Sequence, residues 1–197
     1  EFSMSVAVLI PCHNEAITIY SVVRSFQDAL PEAVVYVYDN NSTDNTIKEA
    51  ERAKAIVRQE KTQGKGAVVR RMFADIDADI YIMVDGDGTY DAQASPHLIN
   101  HLYTHQLDMV IGTRVAKKHT AYRAGHALGN KIFNALLRYL FNSHFTDIFS
   151  GYRVFSRRFV KSFPALSTGF DIETEITIHA LELAMPVSET PTDYDER

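Results

Sequence analysis

Two carboxylates one residue apart, Asp85 and Asp87, are the part of the sequence best suited to chemistry. They follow the apolar run 80–84, and Gly86 and Gly88 beside them permit unusual backbone angles and close approach of a ligand. Hard oxygen donors at the end of a buried strand suit Mg²⁺ or Mn²⁺ bridged to a diphosphate, because Mg²⁺ takes few protein carboxylates and completes its shell with phosphate and water. The competing interpretation is a solvated Asp-Gly turn, which the position after a buried strand disfavours.

Three other polar clusters also follow apolar runs. They are Pro11-Cys12-His13-Asn14-Glu15, Asp39 to Asp44, and Gly112-Thr113-Arg114. Ligands of open α/β sheets bind outside the carboxyl ends of the strands, so the clusters predict one site at that edge. Gly64-Lys65-Gly66 opens a helix, where backbone N–H groups and a lysine could steady a phosphate, although glycines in an ordinary turn explain it nearly as well.

The elements that must position these residues follow from the alternation of apolar runs with helical patterns. This alternation is typical of βαβ units, and it predicts an α/β fold with a mainly parallel central sheet flanked by helices. The predicted strands are Val6–Pro11, Ala33–Tyr38, Ala55–Val57, Ile80–Val84, Met109–Gly112, Gly151–Phe155 and Val187–Thr190. The predicted helices are Ala16–Leu30, Asn45–Ala53, Lys65–Ile76, Ser95–His105, Gly125–Phe141 and Ile172–Ala184, with a mobile loop expected over Val115–Arg123.

Composition excludes several classes of protein. The chain has 197 residues, and its 20 Lys+Arg against 25 Asp+Glu give a net charge of −5, which argues against a non-specific nucleic-acid binder. The single cysteine, Cys12, cannot form an internal disulfide, which fits a reducing compartment. No run of about 18 apolar residues and no secretory signal are present, so we expect a chain that neither spans a membrane nor is exported.

The chain ends suggest how it was produced. Residues 1–3 resemble a cloning remnant before Met4, and the last residues carry no terminating signal after a strand-like stretch. We therefore expect a single domain over 4–197, with a C-terminal membrane part of the parent protein absent.

The order of the motifs resembles that of family-two glycosyltransferases. Pro11 to Glu15, Asp39 to Asp44 and Asp85-Gly86-Asp87 follow one another at the spacing usual in that family. Val84–Tyr90, Ile111–Arg114, Asp147–Arg153 and Gly169–Glu175 are similar to polyprenyl-phosphate sugar synthases, the dolichyl-phosphate mannose synthase-like branch. The resemblance covers about residues 4–197. It implies a GT-A fold, a nucleotide-diphosphate sugar donor, a polyprenyl-phosphate acceptor, a Mg²⁺ or Mn²⁺ ion and inversion at the anomeric carbon.

The resemblance, together with the chemistry of the side chains, assigns roles to individual residues. Glu15 and Asp39 are expected to face the base and ribose, and Arg114 to neutralise the departing diphosphate. The nucleotide-sugar site is expected to comprise Pro11, His13, Glu15, Asp39, Asn41, Lys65, Asp85 and Gly86. The metal ligands are Asp85 and Asp87, the catalytic residues Asp87, Arg114 and Glu173, and the acceptor-binding residues Arg123 and Lys131. Asp44 is expected to cap a helix instead.

The acceptor decides whether a general base is needed. A phosphate monoester is already largely ionised at neutral pH because its second pKa is near 6, whereas a sugar hydroxyl must lose its proton to a carboxylate. The candidate bases are Asp171, Glu173 and Glu175, of which Glu173 or Asp171 is preferred. Transfer to a sugar hydroxyl in polysaccharide assembly is therefore an alternative, and so is a non-catalytic nucleotide-sugar-binding domain.

A different class of enzyme fits the same residues. Asp85 to Thr89 also resembles the motif of haloacid-dehalogenase-type phosphatases, with Asp85 as nucleophile. That motif normally closes the first strand, whereas here three strand–helix units precede it. The glycine-rich loops of NAD modules and nucleotidyltransferases are missing after the first strand.

Two basic or titratable groups of residues remain. His97, His101 and His105 share a helical face, for which a solvated surface is a better interpretation than a metal site. A basic patch that could meet anionic lipid headgroups or be solvated is formed by Arg153, Arg157, Arg158 and Lys161. Separately, a turn beneath the acceptor is expected to be held by Asp147, Ser150 and Gly151. We expect an enzyme at the cytoplasmic membrane face that binds no nucleic acid and is able to form a homo-oligomer.

Overall fold

The computed structural model describes residues 3–116, 124–166 and 169–196, without the side chains of residues 124–130 and 141. Its strands are β1 Val6–Cys12, β2 Val34–Asp39, β3 Ile56–Gln59, β4 Ile80–Met83, β5 Met109–Ala116, β6 Arg153–Ser156 and β7 Val187–Tyr194. Its helices are α1 Ile19–Ala29, α2 Thr46–Arg52, α3 Lys65–Asp75, α4 Ser95–Thr104, α5 Ala124–Phe141, α6 Arg157–Ser162 and α7 Ile172–Glu182, with a short 3₁₀ turn at Ala92–Ala94.

The strands form one seven-stranded sheet in the order β3-β2-β1-β4-β6-β5-β7. β1 pairs in parallel with β2 and β4, and β6 runs antiparallel to both β4 and β5. The predicted α/β fold with a mainly parallel sheet is confirmed. Because β2 and β3 extend the sheet on one side of β1 and β4 on the other, the strand order reverses between β1 and β4, where sheets of this kind bind ligands.

The core lies in two layers, one on each face of the sheet, and β4 is buried on both. Its Tyr81 and Met83 face the layer formed with α3, α6 and α7, and its Ile80 and Ile82 face the layer formed with α1 and α4. Full burial of Ile80, Ile82 or Met83 contributes about 1.5–3 kcal/mol for each side chain. β4 is therefore a rigid base for the acidic turn that follows it.

Three strands, β5, β6 and β7, and one helix differ from the sequence prediction. β5 and β7 continue to Ala116 and Tyr194, since they pair along their whole length. Val115 and Ala116 therefore lie in a strand, while the rest of the expected mobile loop, 117–123, lies outside the described residues. β6 begins at Arg153 and not at Gly151. The missed helix, α6, begins where the side chain of Ser156 accepts a hydrogen bond from the backbone N of Phe159.

One helix face carries exposed apolar side chains. The exposed apolar side chains of α5 are Ile132, Leu136, Tyr139 and Leu140, with 47–87% of each residue accessible, whereas Leu137 is buried. Among the described residues, none of the helices has the length and apolar character needed to cross a bilayer.

Candidate active site

The carboxyl ends of β1, β2 and β4 bring the acidic clusters together around Cys12. Cys12 ends β1 beside Asp39 of β2. Burial first, and then the negative charges of Glu15, Asp39, Asp85 and Asp44, raise the pKa of its thiol well above the ordinary value. Four carboxylates thus converge where the strand order reverses, and a cationic ligand or a ligand rich in hydrogen-bond donors suits this edge.

Hydrogen bonds tie the segment after β1 to the segment after β2. Asn14 has a positive φ of 51°, its backbone N donates to Ser42 Oγ at 2.8 Å, and its Oδ1 accepts from the backbone N of Thr43 at 2.8 Å. Asp44 accepts from the backbone N of Ala16 at 3.2 Å and from that of Thr46, the first residue of α2, at 2.9 Å. Asp44 therefore binds the first residue of α2, but the N-cap residue of that helix is Asn45 and not Asp44 as predicted.

Asp39 carries a buried carboxylate oxygen that is not hydrogen-bonded. Its side chain is among the most buried polar groups, with 2% of the residue exposed. Oδ2 accepts from the backbone N of Ser42 at 3.1 Å, whereas Oδ1 has no hydrogen-bond partner within the described part of the chain. An unsatisfied buried acceptor costs about 1–3 kcal/mol. Asp39 is thus set to accept a hydrogen bond from a ligand.

Neighbouring predicted nucleotide-binding residues line the same edge. His13 Nδ1 lies 2.7 Å from the carbonyl oxygen of Asn40, which only accepts, so Nδ1 carries the proton. Pro11 lies in β1 opposite Tyr38. Asn41 has a positive φ of 60° and donates to the carbonyl oxygen of Lys61 at 2.9 Å.

Gly86 is required because a side chain there would not fit, and not because its backbone angle is unusual. A Cβ there would lie 2.7 Å from the sulfur of Cys12, and its carbonyl accepts from Thr18 Oγ1 at 2.7 Å. The positive φ, 78°, belongs to Gly88. The expected backbone freedom is therefore correct for Gly88 only.

Asp85 is held by a lysine and by a glycine. Lys65 Nζ lies 2.5 Å from Asp85 Oδ1 and also contacts Glu173 Oε1. Burial lowers the pKa of Lys65, but the charges of Asp85 and Glu173 outweigh it, and the pKa is raised above its ordinary value. A Cβ on Gly151 would lie 2.4 Å from Asp85 Oδ2, so this carboxylate rests against backbone that lacks a side chain.

Asp87 lines a cavity on the side of the acidic turn formed with Thr18 and Tyr90. Its Oδ1 accepts from the backbone N of Thr89 at 3.1 Å and from Thr89 Oγ1 at 2.6 Å. It lines a cavity of about 400 Å³ together with Thr18, Tyr90 and Asp193. In the described ranges no three His, Cys, Asp or Glu side chains converge as a metal-binding group. Asp85 and Asp87 offer the two carboxylates that Mg²⁺ or Mn²⁺ needs when phosphate and water supply the remaining ligands.

A larger cavity of about 650 Å³ opens beside Lys65. Its walls are the start of α3, Arg70 and the segment Phe170–Glu173. Glu173 is buried against Lys65. Asp171 accepts from the backbone N of Thr174 at 2.9 Å and caps α7, and Glu175 forms an ion pair with Arg70. Each candidate base is therefore already engaged by another group of the protein.

Arg114 is fixed by a two-point ion pair. Its Nε donates to Asp147 Oδ2 at 2.9 Å and its Nη2 to Asp147 Oδ1 at 2.7 Å, while its backbone N also donates to Oδ2 at 3.0 Å. Asp147 thus orients the guanidinium at the end of the sheet. The predicted turn around Asp147 is present, and Ser150 Oγ anchors it to the carbonyl of Gly112 at 2.5 Å.

The predicted basic patch is wrong. Arg153 is fully buried, where it donates to the carbonyl of Ser150 at 2.9 Å and to Thr177 Oγ1 at 2.8 Å, and burial lowers its pKa. The other cations lie beside acidic residues of neighbouring segments. Arg157 pairs with Asp77 at 2.6 Å, Arg158 pairs with Asp108, and Lys161 lies 3.7 Å from Asp77. Paired charges of this kind do not make a strongly cationic surface.

The remaining predicted residues lie elsewhere. Lys131 is exposed on α5, and Arg123 lies outside the described residues. His101 Nε2 lies 2.9 Å from Ser188 Oγ, which fits a surface role for the three histidines.

Tyr90 was missed by the sequence analysis. Its hydroxyl accepts from the backbone N of Gly151 at 2.9 Å, and burial, followed by the charge of Asp85, raises its pKa to about 12. In the sequence, only its position three residues after Asp87 indicated that Tyr90 lies near the acidic turn.

The sheet and its acidic edge define a class of protein. A seven-stranded, mostly parallel sheet flanked by helices is the GT-A, Rossmann-like α/β fold, which the chain shares with solved glycosyltransferases. Residues 7–163 match glycosyl transferase family 2, and the chain belongs to that family. It is a glycosyltransferase domain that takes a nucleotide-sugar donor, and the phosphatase interpretation of Asp85 is set aside.

Named relatives span different parts of the chain. Protein RfbJ of Shigella flexneri is 54% identical over 125 residues, which are 63% of this chain and 97% of RfbJ. Glycosyltransferase AglJ of Haloferax volcanii is 37% identical over 195 residues, 98% of this chain but only 64% of AglJ. The crystal structure of Mycobacterium tuberculosis glucosyl-3-phosphoglycerate synthase with Mn²⁺, UDP and phosphoglyceric acid is similar with a TM-score of 0.81, at 22% identity, over 99% of this chain and 72% of that chain.

The finer branch stays a prediction. An undecaprenyl-phosphate mannosyltransferase of Micrococcus luteus is 24% identical over 98% of this chain and 85% of its own length. RfbJ and AglJ are considerably more similar in sequence than this polyprenyl-phosphate enzyme. The family is thus established and the acceptor is not.

Proposed function

We propose that this domain inverts the anomeric centre while it transfers a sugar from a nucleotide-diphosphate sugar to a polyprenyl phosphate. The observation that carries the choice of acceptor is the engagement of all three candidate bases, Asp171, Glu173 and Glu175, by other groups. Glu173 and Glu175 are held by a lysine and an arginine and Asp171 by the backbone N of Thr174, and taking a proton from an acceptor would weaken each of these contacts. A phosphate acceptor needs no base.

The nucleotide is placed at the ends of β1 and β2. Asp39 Oδ1, buried and without a donor among the described residues, would accept from the base or ribose, beside Glu15 and His13. Pro11, Asn41 and Gly86 complete this wall. UDP bound to the mycobacterial enzyme of the same fold is consistent with such a ligand.

Asp85 and Asp87 would hold a Mg²⁺ or Mn²⁺ ion, which supplies a positive charge that neutralises the diphosphate leaving group. The chain's own cations act on the same charge. Lys65 begins α3 and Arg114 lies in β5, and each is oriented by a carboxylate. An acceptor phosphate oxygen attacks the anomeric carbon, the bond to the diphosphate breaks, and the leaving electron pair stays on the diphosphate.

The lipid part of the acceptor would be presented at a membrane surface. Arg123 and Lys131 are proposed to bind its phosphate. Residues 115–146 contain no Asp or Glu, in a chain with a net charge of −5, while their Lys and Arg residues are Lys117, Lys118, Arg123, Lys131 and Arg138. With the exposed apolar side chains of α5, this charge fits the surface of an anionic bilayer. The printed name of the Micrococcus luteus relative points to the same acceptor class.

Transfer to a hydroxyl is the second candidate. The name of the mycobacterial enzyme describes a synthase of a glucosylated phosphoglycerate, so this fold also serves acceptors that are not lipids. In that case Glu173, which lines the large cavity, would be the base.

The donor half of the proposal is tested by calorimetric titration of UDP, GDP and a panel of their sugars with and without Mn²⁺. We expect one nucleotide to bind in a Mn²⁺-dependent way, and Asp39→Asn to weaken it by about 10–100-fold, corresponding to the loss of one charged hydrogen bond. The exposed residue Asp28 gives the matched control, Asp28→Asn. Equal affinity of both variants would remove Asp39 from the site.

The acceptor half is tested by product formation with undecaprenyl or dolichyl phosphate in detergent, against free sugars. Glu173→Gln separates the candidates. With a polyprenyl phosphate it should retain a measurable rate without a shift of the pH optimum, whereas with a hydroxyl acceptor it should lose at least about 100-fold in kcat.

A further inference from the structure

Lys65 joins two carboxylates that are far apart in the sequence. Its Nζ lies 2.5 Å from Asp85 Oδ1, after β4, and contacts Glu173 Oε1 on α7. Lys65 is the first residue of α3 and follows Gly64, whose φ of 116° turns the chain into that helix. The ammonium is therefore placed by a fixed helix end and two ion pairs, not by a flexible surface contact.

Asp85 cannot easily turn away from this ammonium. One oxygen contacts Lys65, and the other lies where a Cβ on Gly151 would come within 2.4 Å. A divalent ion that binds Asp85 must approach the oxygen already used by Lys65 or lie close to its positive charge. Like charges at such a separation repel strongly in a partly buried site.

We propose that Lys65 competes with the divalent cation for Asp85, and that a nucleotide diphosphate relieves the competition by accepting the Lys65 ammonium on a phosphate oxygen. Glu173 keeps hold of the ammonium during this exchange. The inference rests on the proposed function, because it takes Asp85 as a metal ligand and the donor as a diphosphate. It makes Lys65 a positioning residue that couples metal binding to donor binding.

The test is Mn²⁺ binding without nucleotide, measured by electron paramagnetic resonance of the free ion. Lys65→Met should bind Mn²⁺ about tenfold or more tightly than the wild type, because the competing charge is gone, and the gain in Mn²⁺ affinity on adding UDP or GDP should shrink by a similar factor. Lys61→Met is the matched control. It removes an exposed lysine of the same region and should leave Mn²⁺ affinity within about twofold.

A second variant should change the Mn²⁺ affinity in the opposite direction. Glu173→Gln removes the other partner of Lys65, so the ammonium is left to Asp85 alone, and Mn²⁺ should bind more weakly than in the wild type. This variant also decides the matter if Lys65→Met does not fold. Unchanged Mn²⁺ affinity in the folded variants would overturn the inference.

The wild-type titration separates this inference from the proposed function. If the wild type binds neither UDP nor GDP with Mn²⁺, the proposed donor site is wrong. If it binds one of them while Lys65→Met gains no Mn²⁺ affinity, the donor site stands and the role of Lys65 as a competitor is wrong.

Discussion

Gly151 and Asp85 lie so close that a methyl group on the glycine would come within 2.4 Å of the carboxylate oxygen Oδ2. The two residues are far apart in the sequence but follow and precede neighbouring antiparallel strands, Asp85 in the turn after β4 and Gly151 in the segment before β6. The hydroxyl of Tyr90 holds the backbone N of Gly151 at 2.9 Å, so the glycine cannot retreat without losing that hydrogen bond. The glycine therefore sets where the carboxylate can lie.

Gly151→Ala is expected to displace Asp85 and to weaken Mn²⁺-dependent nucleotide binding by about tenfold or more, at a cost of about 1–3 kcal/mol in the free energy of unfolding. Gly66→Ala is a comparison variant, since its added Cβ would lie 2.9 Å from Nη1 of Arg70 and 3.9 Å from Cβ of Ile172, away from Asp85. Calorimetry and urea unfolding measure both effects. Full nucleotide affinity in folded Gly151→Ala would show that the position of Asp85 does not matter for binding.

Asp147→Asn is expected to lower kcat by about 10–100-fold with little change in the KM for the donor. The amide cannot accept both hydrogen bonds from Arg114, so the guanidinium loses its fixed orientation where the leaving charge develops. Arg114→Lys should not restore the rate in this background, because an ammonium lacks the planar pair of donors. Steady-state kinetics with saturating acceptor measure both variants. An effect on KM alone would place Arg114 in donor binding and not in leaving-group stabilisation.

The sequence located most of the fold and the acidic edge of the sheet, and it did so for a physical reason. Strand ends are visible as apolar runs that stop at polar residues, and parallel strands bring such ends together. Asp39 and Asp85 could therefore be placed at one edge from their positions after β2 and β4. The antiparallel direction of β6 has no comparable signal, since its short apolar run reads the same in both directions.

Contacts between distant segments could not be predicted in this way. Lys65 and Glu173 are 108 residues apart, and nothing in the spacing of either indicates the other. The sequence places Arg153 in a basic patch with the cations that follow it, yet carbonyl groups and Thr177 satisfy its guanidinium inside the protein. A local run of charged residues in the sequence does not indicate which distant residues will form ion pairs or hydrogen bonds with them in the folded protein.

Tyr90 should make the protein less stable as pH rises from about 10 to about 12. Its pKa is raised to about 12 by burial and by the charge of Asp85, so the folded state keeps a proton that the unfolded state loses near pH 10. The stabilisation from this proton is fully present below pH 10 and is lost as pH rises through that range. Between pH 9.5 and 11 this single group accounts for about 1 kcal/mol of lost stability.

Tyr90→Phe isolates that contribution. The variant loses the hydrogen bond from Gly151 at every pH, so it should be less stable at pH 8, but its stability should fall less steeply above pH 9.5. Urea unfolding at several pH values measures the slope. Parallel curves for the wild type and the variant would mean that Tyr90 ionises equally in the folded and unfolded protein.

The apolar face of α5 gives a prediction about membranes. Ile132 and Leu136 are 62% and 47% exposed, and the double variant Ile132→Ser with Leu136→Ser should weaken binding to phosphatidylglycerol vesicles by about 30-fold or more. Lys131→Gln should weaken vesicle binding by about fivefold, because each lysine near an anionic surface contributes about 1 kcal/mol. For the same electrostatic reason, added salt should weaken the binding of the wild type to these vesicles. Leu166→Ser removes an 82% exposed leucine outside α5 and serves as the control. Vesicle sedimentation measures binding, and nucleotide affinity checks that the site is intact. The wild type could instead fail to bind vesicles and form a dimer through α5, which sedimentation velocity would detect. That outcome would assign this face to a second copy of the chain and contradict membrane binding in the proposed function.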